Sequence, residues 1–119
     1  MSYINKPGKT TNWRKMVTRQ QISSAIANDK IVTTYAKAKE TSRHLDYVVN
    51  LAKTPTLANK RLILSILIDV NNKTAVELMR KVVDMAAKKY AARNGGYTKV
   101  LKLGARAGDN TEEAILTFC

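Results

Sequence analysis

The pattern of apolar residues changes at Asn94-Gly95, and this change limits the folds that the chain can adopt. From about Lys73 to Arg93 the apolar residues recur every three or four positions, which predicts an amphipathic helix. Asn94-Gly95 supplies the left-handed residues that end many helices. The segments Tyr97–Leu103 and Ala114–Phe118 then have the composition and spacing of two strands. A long helix that ends just before a two-stranded hairpin is therefore expected.

Four elements are predicted before that helix. They are a helix over about Trp13–Ala27 that Thr11 or Asn12 caps, a short strand over Ile31–Thr34, a helix over about Tyr35–Lys53, and a helix over Leu57 to about Ile68 that Thr56 caps. The β-branched residues in the last of these segments leave a strand open there. The predicted order is helix, strand, three helices and a two-stranded hairpin, with the helices packed on a small sheet. This is an α+β fold.

The length and composition predict one domain. A chain of 119 residues with 45% hydrophobic residues can build one core. We expect a single α+β RNA-binding domain over residues 10–119. Residues 1–9 have Pro7 and Gly8 among polar groups, and we expect them to form an extended basic arm that needs a partner to order it.

The charge indicates a polyanionic partner. The chain has 21 Lys and Arg residues against 9 Asp and Glu, a formal net charge of +12. The first twenty residues contain no acidic residue, so the N-terminal segment is the first candidate contact surface. Its basic residues are Lys6, Lys9, Arg14, Lys15 and Arg19.

The sequence gives no indication of a membrane partner or of secretion. It has no apolar run near the ~20 residues that a membrane-spanning helix needs. The opening MSYINKPGK lacks the apolar stretch of a signal peptide, and the one cysteine, Cys119, has no second cysteine to pair with. Both features favour the cytoplasm.

Catalytic and metal-binding patterns are absent from the sequence. There is no GxxxxGK[ST], HExxH or CxxC motif, and His44 is the one histidine, which we expect to be a partly exposed packing residue on a helix. Glu112 and Glu113 are adjacent on a strand, so they point to opposite faces and are expected to protect a strand edge instead of forming an acid pair. We expect no enzyme activity, no cofactor, no metal and no small-molecule substrate.

Residues 93–110, RNGGYTKVLKLGARAGDN, contain four of the five glycines. A phosphate-binding loop places its glycines after a strand and before a helix, where the helix N-terminus faces the phosphate. Here Gly95 and Gly96 follow a helix instead, whose C-terminal dipole repels anions. Phosphate affinity in this stretch must come from its basic side chains, which are Arg93, Lys99, Lys102 and Arg106.

The stretches KAKE (37–40), LAKTPTLANKRL (51–62) and RNGGYTKVLKLGARAGDN closely resemble bacterial ribosomal large-subunit protein seventeen. The resemblance runs from about Gly8 to the C-terminus, and GGYT with the G-x-R-x-G-D loop is its most specific part. It implies an α+β protein of the 50S subunit that binds 23S ribosomal RNA near the peptide exit side, adjoins other large-subunit proteins and has no catalytic activity. The chain departs from the family at its start, where SYIN replaces a denser cluster of His, Arg and Lys.

The resemblance also implies which residues face RNA. They are Lys9, Arg14, Lys15 and Arg19 near the N-terminus, Lys37 and Lys39, Lys60 and Arg61, and Arg93, Lys99, Lys102 and Arg106 around the hairpin. Aromatic side chains suited to stacking on bases or sugars are Tyr3, Trp13, Tyr35 and Tyr97. Charge pairs such as Lys88-Lys89 and Arg80-Lys81 are equally compatible with a solvated helix face.

Two interpretations of the charge therefore stand side by side. The first is a structural constituent of the large ribosomal subunit whose basic groups neutralise the phosphates of 23S ribosomal RNA. The alternative is a free nucleic-acid-binding regulator or nucleoid protein that uses the same surface and binds duplex DNA equally well.

Overall fold

Helices and strands follow the predicted order. The computed structural model describes residues 11–70, 72–105 and 107–119. Within these residues the elements are α1 (Thr11–Asn28), β1 (Lys30–Thr34), α2 (Tyr35–Lys53), α3 (Leu57–Ile66), α4 (Ala75–Lys89), β2 (Thr98–Ala105) and β3 (Glu112–Phe118). The α+β class is confirmed, and the segment that left a strand open is the helix α3. The expected arm over residues 1–9 lies outside the described residues.

The three strands form one antiparallel sheet in the order β1-β3-β2. The predicted hairpin is the β2–β3 pair, and β1 adds to the other side of β3 with Val32 opposite Ile115. Because β3 is the central strand, the expectation that Glu112 and Glu113 protect a strand edge is wrong. Both edges of β3 are already hydrogen-bonded to neighbouring strands.

The core lies between the helices and one face of the sheet. Ala114, Leu116 and Phe118 alternate along β3 and are buried, while the residues between them are partly exposed. At the end of the sheet the rings of Tyr90 and Tyr97 pack edge to face, with centroids 5.1 Å apart. Their contact fixes the end of α4 against the start of β2.

Local capping explains two helix starts. The Thr56 hydroxyl accepts a hydrogen bond from the Asn59 amide at 3.3 Å, as predicted, and Thr74 accepts one from the Glu77 amide at 3.3 Å. The end of α4 differs from the prediction, because the helix ends at Lys89 and the left-handed residue is Gly96, with φ of 64°.

Two more local predictions are corrected by packing. His44 is 4% exposed and therefore buried, because it lies on the core-facing side of α2. Glu77 and Lys81 are four residues apart on one helix, a spacing that predicts an ion pair, but the Lys81 amine instead contacts the Asp29 carboxylate, at 3.0 Å, in the turn after α1. The pair between Asp84 and Lys88 forms as expected, at 3.1 Å.

Candidate nucleic-acid interface

Lysines and aromatic rings meet where α2 begins. The amine of Lys102, on β2, lies 4.6 Å from the centre of the Tyr35 ring, and the amine of Lys39 lies 5.4 Å from the same ring. On the other side of α2, the Lys37 amine lies 5.9 Å from the centre of the Trp13 ring of α1. We call these five residues the basic-aromatic cluster. They come from α1, α2 and β2, so only the folded chain brings them together.

Local structure explains each position. Tyr35 and Lys39 are four residues apart on a helix and therefore lie on one side of it. Lys102 lies opposite Ala114 in the sheet, on the face that the helices cover. Because Ala114 has only a methyl side chain, the Lys102 side chain has room to extend across it toward Tyr35.

The electrostatics at this end of α2 favour an anion. The first turn of α2 contains no acidic residue, and the N-cap Thr34 makes no side-chain hydrogen bond to the helix amides. The helix dipole therefore adds a positive partial charge to the lysines. The carboxylate of Glu112 lies 3.6 Å from the Lys102 amine, but both side chains are half exposed, so this pair is weak and can be exchanged for a phosphate.

Two more predicted residues lie at the start of α1, next to Trp13 in the sequence. Arg14 and Lys15 follow Trp13 in the first turns of α1, where Lys15 is exposed and Arg14 is half-buried. The first turn of α1 also contains no acidic residue. Of the predicted RNA-facing residues, the structure thus brings together Lys37, Lys39 and Lys102, while Arg14 and Lys15 follow Trp13 along α1.

Two predicted arginines are instead bonded within the fold. The Arg19 guanidinium donates to the carbonyls of Ile66 and Leu67, at 3.1 and 3.3 Å, and so caps the end of α3. The Arg93 guanidinium donates to the Cys119 carbonyl at 3.0 Å and lies 5.2 Å from the centre of the Tyr90 ring. These contacts give both arginines a structural role.

The remaining predicted residues lie elsewhere. Lys60 and Arg61 are on α3, where Lys60 lines a cavity of about 460 Å³ together with α4 side chains that include Arg80. Lys99 is opposite Thr117 and therefore lies on the sheet face turned away from the helices, unlike Lys102. Lys6, Lys9 and Arg106, like the aromatic Tyr3, lie outside the described residues.

A polar contact between α2 and β2 was missed from the sequence. The Thr98 hydroxyl donates to the carboxylate of Asp46 at 3.2 Å, and the Ser42 hydroxyl lies 2.7 Å from that of Thr98. Burial raises the pKa of the Asp46 carboxyl above its ordinary value of 3.8, although the hydrogen bonds from Thr98 and the Tyr97 amide oppose this. This contact depends on tertiary structure, so no local sequence pattern predicts it.

The described part of the chain has no arrangement typical of a metal site or a membrane anchor. Among these residues, no group of three or more His, Cys, Asp and Glu side chains lies close enough to hold a metal ion. No helix there is both long and apolar enough to cross a membrane. The Cys119 thiol is half-buried and donates to the Gly96 carbonyl at 3.4 Å.

The fold and the basic-aromatic cluster together are typical of small basic α+β proteins that bind polyanions. Comparison with known proteins identifies the family. Residues 17–119 match the family model described as ribosomal protein L17, and the chain belongs to this family. Members of the family are structural components of the ribosome and not enzymes.

Curated relatives agree over nearly the full length. Proteins named large ribosomal subunit protein bL17 from Ureaplasma parvum and Malacoplasma penetrans are each 57% identical over 116 residues, which is 98% of this chain and 98% of the relative. The protein of the same name from Mycoplasma genitalium is 45% identical over 98% of this chain and 94% of its own length. The resemblance stated from the sequence is therefore confirmed.

Proposed function

We propose that this chain is a structural constituent of the large ribosomal subunit, in cytoplasmic ribosomes, where it binds 23S ribosomal RNA and so supports translation. The names of its relatives support the subunit. The observation that supports RNA binding is the basic-aromatic cluster, which presents three lysines around two aromatic rings at a helix N-terminus. Neighbouring large-subunit proteins are its expected protein partners.

The mechanism is charge neutralisation at fixed spacing. Phosphates that pass the start of α2 meet Lys39 and Lys102 on one side and Lys37 on the other, together with the helix dipole. The faces of Tyr35 and Trp13 offer apolar contact to riboses and to unpaired bases. Because the cluster spans three packed elements, the core holds the lysines at set distances, and RNA segments that would otherwise repel each other can pack together.

Other predicted residues are further candidate RNA contacts in the proposal. They are Lys6, Lys9, Arg14, Lys15, Arg19, Lys60, Arg61, Arg93, Lys99 and Arg106. These residues are expected to contribute unequally to RNA affinity. The guanidinium groups of Arg19 and Arg93 already bind carbonyls of the fold, so phosphate has to compete for them. Lys15 and Arg61 are exposed and meet no such competition in the part of the chain that the structure describes, whereas Lys99 lies on the other face of the sheet from Lys102 and can contact only a separate RNA segment.

The test is charge reversal on the two sides of Tyr35. In the full chain, Lys39→Glu with Lys102→Glu is expected to weaken binding to purified 23S ribosomal RNA by at least about tenfold, because removing a charged hydrogen bond to phosphate costs about 1.5 kcal/mol or more. The matched control is Lys88→Glu with Lys89→Glu, which changes the net charge equally. These lysines end α4 beside Tyr90, at the opposite end of α2 from the cluster.

Filter binding gives the affinity, and circular dichroism melting verifies that each variant is folded. Equal losses for the two double variants would refute the cluster as the contact and leave only general electrostatics. Co-sedimentation of the tagged wild-type chain with 50S subunits tests the subunit assignment. If the tagged chain sediments only as free protein and binds duplex DNA as tightly as 23S ribosomal RNA, the free regulator or nucleoid protein is supported instead.

A further inference from the structure

The sheet has a second face, turned away from the helices, and this face carries an apolar row. Val32 of β1, Ile115 of β3 and Leu101 of β2 lie directly opposite one another across the three strands. Val32 is 59% exposed, Leu101 is 47% exposed, and Leu103 farther along β2 is 53% exposed. Adjacent exposed aliphatic side chains of this kind are uncommon on a monomer without a partner and mark an interaction surface.

Charged rows border this apolar row on both sides. One register step away, Lys30, Thr117 and Lys99 lie opposite one another across the same three strands. On the other side of the row, Glu113 lies opposite Thr34. The outer face thus has a positive edge, an aliphatic centre and a carboxylate, all on regular strands whose hydrogen bonds hold them in place.

We propose that this outer face docks a neighbouring protein of the large subunit through a segment of aliphatic side chains flanked by carboxylates. The aliphatic centre fits apolar side chains, and the lysine edge fits the carboxylates. The proposal depends on the proposed function in one respect, namely that the partner belongs to the large ribosomal subunit. It assigns the outer face of the sheet, including Lys99, to protein in place of RNA, and it leaves the basic-aromatic cluster to RNA.

The chemistry of the row disfavours the other occupants. Bases stack on aromatic rings, and this row has none. A second copy would bring two chains of net charge +12 together with both lysine edges at the contact. The arm over residues 1–9 contains Lys6 and Lys9 and no acidic residue, so it lacks the carboxylates that this face calls for.

Photocrosslinking identifies the occupant. Leu101 is replaced with p-benzoylphenylalanine in the tagged full chain, large subunits that contain it are purified and irradiated, and the crosslinked peptide is sequenced. We expect a crosslink to an aliphatic segment with acidic residues in another large-subunit protein. A crosslink to ribosomal RNA, to a second copy or to the chain's own arm would overturn the proposal, and so would the absence of any crosslink.

Conservative substitutions test the energetic role of the row. Val32→Thr with Leu101→Thr keeps side chains that suit a strand but removes apolar surface, so we expect the variant to leave salt-washed 50S subunits about tenfold faster. Leu62→Gln on α3 is the control, because Leu62 is 47% exposed, the same as Leu101. Unchanged retention of the double variant would overturn the proposal.

Affinity for isolated 23S ribosomal RNA separates the two proposals. We expect the Val32→Thr and Leu101→Thr variant to bind this RNA as the wild type does. A lower affinity with an unchanged melting temperature would assign the outer face to RNA and overturn the docking proposal. If the wild type itself does not bind the RNA, the proposed function fails while the crosslink result still decides the docking surface.

Discussion

The salt dependence of RNA binding counts the phosphates that the chain contacts, and its change on substitution counts those at the start of α2. Each neutralised phosphate releases counterions, so the logarithm of the affinity falls with the logarithm of salt concentration by about 0.7 per phosphate for single strands and 0.9 for duplex. If Lys37 and Lys39 each contact one phosphate, replacing both with Gln lowers this slope by about 1.4 to 1.8. A fourfold rise in salt then costs the wild type roughly 7 to 12 times more affinity than it costs the variant.

The assay is titration of the labelled full chain with 23S ribosomal RNA at several salt concentrations between about 50 and 200 mM. Lys88→Gln with Lys89→Gln removes the same charge from the other end of the molecule. The distance between the two pairs of lysines follows from the length of α2, whose 19 residues rise about 1.5 Å each and so span nearly 30 Å. If the slope of the Lys37 and Lys39 variant equals that of the wild type, these lysines belong to a solvated face and the phosphate reasoning is refuted.

Four substitutions test the stability that contacts inside the fold provide, and thermal melts of the full chain measure each effect. The Tyr90 hydroxyl is buried without a hydrogen-bond partner among the described residues, so Tyr90→Phe should stabilise by about 1 kcal/mol, whereas Tyr97→Phe loses the bond to Asn50 and should destabilise by about 1 kcal/mol. Burial raises the pKa of the Tyr90 hydroxyl above its ordinary value of 10.0, so the folded state holds this proton more tightly than the unfolded state does. The stability of the wild type therefore falls as pH rises through 10.0, and the stabilisation by Tyr90→Phe should grow there. An equal stabilisation at all pH values would contradict this. Arg19→Ala should lower the free energy of unfolding by about 2 kcal/mol, because it removes the hydrogen bonds to the carbonyls at the end of α3. A loss of RNA affinity with an unchanged melting temperature would show that Arg19 acts on RNA instead. Burial likewise raises the pKa of Asp46, so Asp46→Asn should stabilise at neutral pH and lose this effect below the ordinary value of 3.8, where the carboxyl is protonated in both states.

Local sequence patterns predicted the order and type of the helices and strands, because a helix start depends on nearby residues. Thr56 and the residues after it contain the whole capping interaction, and the bounds of α2 follow from the strand before it and Thr54-Pro55 after it. The pairing of β1 with β3 joins residues 79 to 87 positions apart, from Thr34 opposite Glu113 to Lys30 opposite Thr117. Nothing near either strand in sequence specifies that partner.

Part of the site was also readable from spacing. Tyr35 and Lys39 are four residues apart on a predicted helix and had to be neighbours. Lys99 and Lys102 are three apart on a predicted strand and had to point to opposite faces, so they could not share one contact surface. The meeting of Lys102 with Tyr35 required the register of the sheet, which the local pattern does not contain.

Net charge overstates the number of phosphate contacts that this chain can make. Arg19 and Arg93 donate their hydrogen bonds to carbonyls of α3 and Cys119, and Lys81 binds Asp29 and the end of α1. Arginine suits such a structural role because its planar guanidinium is always charged and donates along fixed directions to carbonyls. The salt slope counts phosphates and not charges, so it should fall well short of the value that every basic residue would give. A slope near that upper value would mean that RNA displaces these internal contacts, and the fold would then have to rearrange on binding.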